Sequence, residues 1–232
     1  MRWEAVRIFE VFFNIRVLKD SIHVLLLGLQ LTILLGLASI AFGMILGLLV
    51  ALTRLYAPPF FRRLAIVYID VMRALPLLVM LVLIYYTLPF INIRLSAFVS
   101  ATLAIGLVSG AYTAEIFRSG IEAIPQGQFE ASKALGLSGW RMMGDVILPQ
   151  AFKIVIPPLT NNAIAVMKDT ALASVVAMPD LLKQATQSQA VHANPSPLIG
   201  AALLYLLLLL PAVRLVNVLE GRFSAGRRRT VL

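Results

Sequence analysis

The chain has 232 residues, 60% of them hydrophobic and 13% charged, with a mean hydropathy of +0.90. A water-soluble domain of this length cannot cover so much apolar side chain with so few charges, so the composition calls for a bilayer. Cysteine is absent and the two histidines, His23 and His192, lie far apart, which excludes disulfides, thiol chemistry and a ligand-spaced metal cluster.

A spanning helix needs about 20 apolar residues. In chain order, residues 1–20 come first, an amphipathic tail with Trp3, Phe9, Phe12 and Phe13 on the lipid side of an interfacial helix. A disordered leader is the plainer alternative for this tail. Spans are predicted at 21–52, 66–88, 95–117, 152–177 and 198–219, the first with Gly28, Gly36, Gly43 and Gly47 as close-packing points. The first run is too long for a cleaved leader and is expected to stay. These five spans define one all-α integral membrane domain over 21–220, followed by a basic tail at 221–232.

The net charge of +9 has a topological reading. Basic residues collect in the first connection (Arg54, Arg62, Arg63), the third (Arg118, Lys133, Arg141, Lys153) and the tail (Arg214, Arg222, Arg227, Arg228, Arg229). The second connection holds only Arg94 and the fourth only Lys183. All the rich segments fall on one face, which is cytoplasmic by the positive-inside rule, and this distribution argues against nucleic-acid binding. The N-terminus then lies outside and the C-terminus in the cytoplasm, although Arg2, Arg7, Arg16 and Lys19 run against the rule.

The third connection, about 118–151, is too patterned for a floppy loop. Pro125 suits a helix start. Ala131, Ala134 and Leu135 share one face, and Gly136 can take the left-handed conformation that ends a helix. Ser138 can cap a second short helix, from Trp140 to Ile147, ended by Leu148-Pro149. Two short helices at a sharp angle result, flat on the cytoplasmic face. Small residues around a leucine knob, with Glu130, Lys133 and Arg141 as a polar rim, describe a docking surface. The residues alone equally allow an amphipathic pair packed on the membrane.

The segment FEASKALGLSGWRMMGDVILPQAF resembles the EAA loop of ABC importer permeases, through Glu130, Ala131, Gly136, Ile147, Leu148 and Pro149, with Ser132 in place of the second alanine. YIDVMRALPLLVMLVLIYY resembles the second-span signature of the polar amino-acid permease group (histidine, glutamine and arginine type) at Arg73 and Pro76 to Val79, with Ala74 and Leu75 replacing its Gly and Thr. AYTAEIFRSGIEAIPQGQ and MKDTALASVVAMPDLLKQA match the same group, so the likeness covers roughly residues 32–187. It implies the type I importer permease fold, located in a bacterial inner membrane. It also implies a second permease copy or sister permease, a cytoplasmic ATPase dimer docked through Glu130, Ala131, Ala134, Leu135, Gly136 and Pro149, and an external solute-binding protein. ATP and Mg belong to the ATPase, and this chain has no catalytic residue and no cofactor. In keeping with that, no Gly-rich loop ending in Gly-Lys-Ser/Thr occurs here.

Ionisable groups within spans mark pathways or pairs. Glu115, with Tyr112 and Thr113 nearby, is expected to pair with Arg118, three residues on, and Arg73 with Asp70. Pro76 is expected to kink the second span. In the fourth span Asn161, Asn162, Lys168, Asp169 and Thr170 lie between Pro157-Pro158 and Pro179, and broken helices are where carriers place solute sites. Lys168 and Asp169 offer both signs to a zwitterion. Adjacent helical positions point about 100° apart, so they share a cavity only if the helix unwinds; otherwise they pair with other spans. Arg73, Pro76, Tyr112, Glu115, Asn161, Asn162, Lys168, Asp169 and Thr170 are the translocation-path candidates. An intramembrane hydrolase would need Ser109 or Ser174 beside His23 or His192, and neither histidine lies mid-membrane. A channel or carrier working alone would leave the patterned loop without a purpose.

Overall fold

The computed structural model describes residues 11–228, and these are helical with no strand. Helix α1 spans Ile15–Tyr56, 42 residues and thus about 63 Å, roughly twice the hydrocarbon thickness of a bilayer. Asn14 caps it, Oδ1 accepting the Arg16 and Val17 N–H groups at 3.1 and 3.3 Å. The predicted N-terminal tail reaches the described residues only at its end: residues 11–12 are helical, 13–14 are not, and Trp3 and Phe9 lie outside.

Helix α2 (Pro59–Ala74) starts on a proline, whose missing N–H costs nothing in a first turn. It ends because Pro76 forces Leu75 into extended backbone, φ −80° and ψ 131°. Helix α3 (Leu77–Val82) follows, widens into a π segment at Leu83–Thr87 and tightens into a 3₁₀ turn at Leu88–Ile91. The second predicted span is therefore interrupted at Leu75-Pro76 instead of running as one helix. Among the described residues four helical runs are long and apolar enough to cross a membrane, and a fifth span exists if Pro59–Ala74 and Leu77–Ile91 count as one.

Helix α4 is Ala97–Glu122 and α5 is Gln126–Ala134. One helical turn at Gly139–Arg141 opens into a π segment, Met142–Ile147, and continues as α6, Leu148–Asp169. A second short helix ended by Leu148-Pro149 is therefore not formed. The ring of Pro149 would clash with a carbonyl one α-turn back, and the wider π turn ahead of it removes that clash. Nor do Pro157 and Pro158 break the fourth span: both lie inside α6, which gives way to a 3₁₀ run only at Thr170–Val176. Packing on α4 holds the helix on course there, since a Cβ on Gly120 would sit 2.1 Å from Val155 Cγ1. Helix α7 (Leu181–His192) stands between Ala177 and Ala193, both left-handed, and α8 runs from Ser196 to Arg228, carrying the predicted tail on as helix.

The described residues divide into two units. In the first (11–40, 76–105, 165–212), Leu25 of α1 packs with Leu181 and Ala185 of α7 and Ala201 of α8. In the second (41–75, 106–164, 213–228), Ala51 of α1, Ile69 of α2 and Ala114 of α4 form one core, and Ile124, Ile147 and Ala151 another. Gly43 and Gly47 let α1 approach α4: a Cβ on Gly47 would lie 2.5 Å from Thr113 Cβ and 2.8 Å from the Gly110 carbonyl oxygen.

Candidate functional site

The 118–151 loop belongs to the second unit and is seated from beneath. Ile124, Ile147 and Ala151 are buried, with Phe129, Met142, Met143 and Val146 packed around them. Ser132 turns inward, 3% exposed, and its Oγ donates to the Gln128 carbonyl at 2.7 Å. Serine at that position faces the loop's own core, not its outer surface. Gly136, at φ +71°, ends α5 as its residue type suggests: its N–H meets the Lys133 carbonyl at 2.9 Å, and the Leu137 N–H meets that of Ser132 at 3.1 Å.

The opposite face of α5 is bare. Glu130, Ala131, Ala134 and Gly136 are exposed, and Leu135 is 80% exposed. Trp140 is 91% exposed, although sequence spacing alone placed it merely inside the second loop helix. An unpaired tryptophan beside a leucine knob could have marked it, because aromatics anchor protein interfaces. Pro149 lies exposed on the first turn of α6, apart from the α5 cap.

Also in the second unit, Glu115 is the centre of an ion network. One carboxylate oxygen takes Arg54 of α1, and the other takes Arg118 Nε at 3.1 Å and Nη2 at 2.7 Å. Arg118 also pairs with Glu122. The expected Glu115–Arg118 pair is present, and Arg54 adds a contact 61 residues away that no local spacing could reveal. Arg73 does not pair with Asp70. Its guanidinium lies over the Tyr112 ring, 5.4 Å from the centroid, where a cation gains from the π face. Asn162 Nδ2 donates to Ser109 Oγ at 3.0 Å and Thr113 Oγ1 at 3.2 Å, so this side chain ties α6 to α4; Asn161 is exposed.

In the first unit, Lys168 is exposed and Asp169 half-buried on the last turn of α6, which is still helical there. The unwinding that would turn both into one cavity is absent at these two residues and starts at Thr170. Thr170 is buried, its Oγ1 donating to the Met167 carbonyl at 2.7 Å. Pro76, exposed, caps α3 at φ −60°. Among the described residues no cluster of His, Cys, Asp and Glu could hold a metal.

Residues 43–225 match the family model of the binding-protein-dependent transport system inner membrane component. The chain belongs to this family. The matched region holds the whole 118–151 loop, the ion network and α7, and it reads as a multi-pass permease subunit rather than a catalytic one. The permease is 38% identical over 176 residues to a probable amino-acid ABC transporter permease protein, YckA, of Bacillus subtilis (strain 168), covering 76% of this chain and 78% of that one. It is 37% identical over 208 residues to the arginine transport system permease protein ArtQ of the same organism, covering 89% and 95%. Among solved structures, an amino acid ABC transporter crystallised with histidines superposes with a TM-score of 0.84 at 34% identity, over 88% of this permease and 96% of that chain. The MetNI methionine ABC transporter in an inward-facing form superposes with a TM-score of 0.67 at 21% identity, over 86% and 98%, and shares the type I importer permease fold.

Proposed function

We propose that this permease subunit carries amino acids or related small polar solutes into a bacterial cytoplasm by alternating access, driven by a separate ATPase seated on its 118–151 loop. The observation that carries the coupling is the two-sided build of that loop. Its inner face is packed on Ile124, Ile147 and Ala151, while Leu135 and Trp140 stand almost wholly bare. A packed base under a bare apolar knob transmits a push and gives a partner something to grip. Amino-acid cargo is supported by the relatives, among them an arginine permease and an amino acid transporter. ATP and Mg sit on the ATPase in this reading. A solute-binding protein delivers cargo on the outer side, a second copy or sister permease completes the pathway, and lipid surrounds it. The N-terminus lies outside and the C-terminus in the cytoplasm.

Of the path candidates, exposed Lys168 in the first unit and Arg73, over Tyr112, in the second each offer a cation to a carboxylate, while Asp169, still helical beside Lys168, points elsewhere. Pro76, Asn161, Asn162 and Thr170 shape or line that path. Glu115 has both oxygens engaged by arginines, so its first role is to hold α1 to α4. The coupling is tested with Gly136→Val. Nothing lies within 4 Å of a Cβ at Gly136, so the side chain fits, but φ +71° is strained for a β-branched residue and the α5 cap must rearrange. The variant should insert at the wild-type level while ATP hydrolysis no longer drives uptake in vesicles. Full uptake by the variant refutes the lever.

A further inference from the structure

Helix α7 is docked around a carboxyl group without a counter-ion. Asp180 is fully buried at its N-cap: Oδ1 accepts the Lys183 backbone N–H at 3.0 Å, while Oδ2 has no hydrogen-bond partner. Few groups face it. On its own helix the Lys183 ammonium acts only at a distance, with no cation of the described residues in ion-pair contact. From α8 comes the Tyr205 hydroxyl, also buried and without a partner in good geometry beside Thr32 and Thr170. From α1 come Gly28 and Thr32, which do not titrate.

The docking is close. A Cβ on Gly28 would lie 2.9 Å from the Asp180 carbonyl oxygen, and the Leu181 N–H donates to Thr32 Oγ1 at 3.0 Å. Ser188 Oγ donates to Ser21 Oγ at 2.6 Å one turn from the far end. Both joints of α7 are alanines in left-handed backbone, Ala177 at φ 58° and Ala193 at φ 45°, a conformation that a Cβ disfavours.

We propose that α7 is a proton-dependent latch: protonation of Asp180 tightens the docking of α7 on α1 and α8, and its ionisation loosens the helix. A neutral carboxyl can donate through Oδ2 to a hydroxyl such as that of Tyr205, giving both orphaned groups a partner. A carboxylate in the same place leaves Oδ2 desolvated and without a partner. Burial pushes the Asp180 carboxyl up to about 6 from its ordinary 3.8. The raised value belongs to the docked state. Acid therefore favours docking, and the preference is complete below about 3.8 and lost as the pH rises through about 6.

Hydrogen exchange of the amides over 181–192, in the full chain in detergent micelles, tests the latch. After correction for intrinsic exchange, the opening constant should be about tenfold larger near pH 8 than near pH 5. Asp180→Asn keeps an oxygen for the Lys183 N–H and places a neutral donor where Oδ2 was, so it should stay protected at both pH values. A wild-type ratio near one overturns the proposal, and so does an Asp180→Asn chain that keeps the wild-type pH dependence. The result does not depend on which side of the membrane α7 occupies or on what the permease carries.

Discussion

Truncating Leu135 and Trp140 to alanine separates docking from folding. The two side chains are 80% and 91% exposed, so removing them withdraws almost no buried surface from this chain. Substitutions of that kind shift folding stability by no more than about 0.5 kcal/mol. A docked ATPase would bury both. Full burial of a leucine is worth roughly 1.5–3 kcal/mol, and a tryptophan anchor about 2 kcal/mol or more. The terms are not additive, so about 3 kcal/mol is expected for the pair, which is roughly a hundredfold in dissociation constant. Ile147→Ala is the opposite control. That side chain is 0% exposed, and its loss should cost about 2–5 kcal/mol of stability. The assay is equilibrium binding of the purified ATPase subunit to the permease in nanodiscs, with thermal unfolding of each variant alongside. A double-alanine permease that binds the ATPase within twofold of wild type refutes the docking surface. One that unfolds several degrees lower refutes the view that these side chains are free of the fold.

Gly47→Val drives a side chain into Thr113, with the Cβ alone 2.5 Å from Thr113 Cβ and backbone 2.8 Å away, so the helices must part. Overpacking of this sort costs about 1–3 kcal/mol, read as a lower unfolding temperature in detergent and reduced membrane yield. Glu115→Gln leaves Arg54 and Arg118, with side chains 22% and 23% exposed, facing an amide. A loss of about 2 kcal/mol is expected, and a double-mutant cycle with Arg54→Gln should return a coupling of at least about 1 kcal/mol. A cycle that sums to zero would show that the network is ornamental.

Features written in local residue order proved legible. Four of the five apolar runs of span length became membrane-length helices, Gly136 took the left-handed turn, and Glu115 met Arg118 one helical turn on. Each follows from a period of 3.6 residues or from one residue's own backbone preference. Breaks were harder to place. Pro157 and Pro158 removed two donors without ending α6, yet Pro76 ended α2, where Leu75 ahead of it goes extended. Lys168 and Asp169 stayed helical because the ladder continues through the prolines to Asp169 and tightens only at Thr170.

The sequence by itself determined that the chain lives in a bilayer, which four of its apolar runs form long helices, and which loop offers a patterned surface. Composition and periodicity are properties of neighbours along the chain, and the bilayer enforces them directly. Only the tertiary structure decided that Arg54 joins Glu115, that Ser132 faces inward while Trp140 stands bare, and that Asp180 is sealed off beneath α7. Those outcomes depend on which helix faces approach one another, a choice made by small residues such as Gly28, Gly43 and Gly47 on α1 acting together with partners more than sixty residues away.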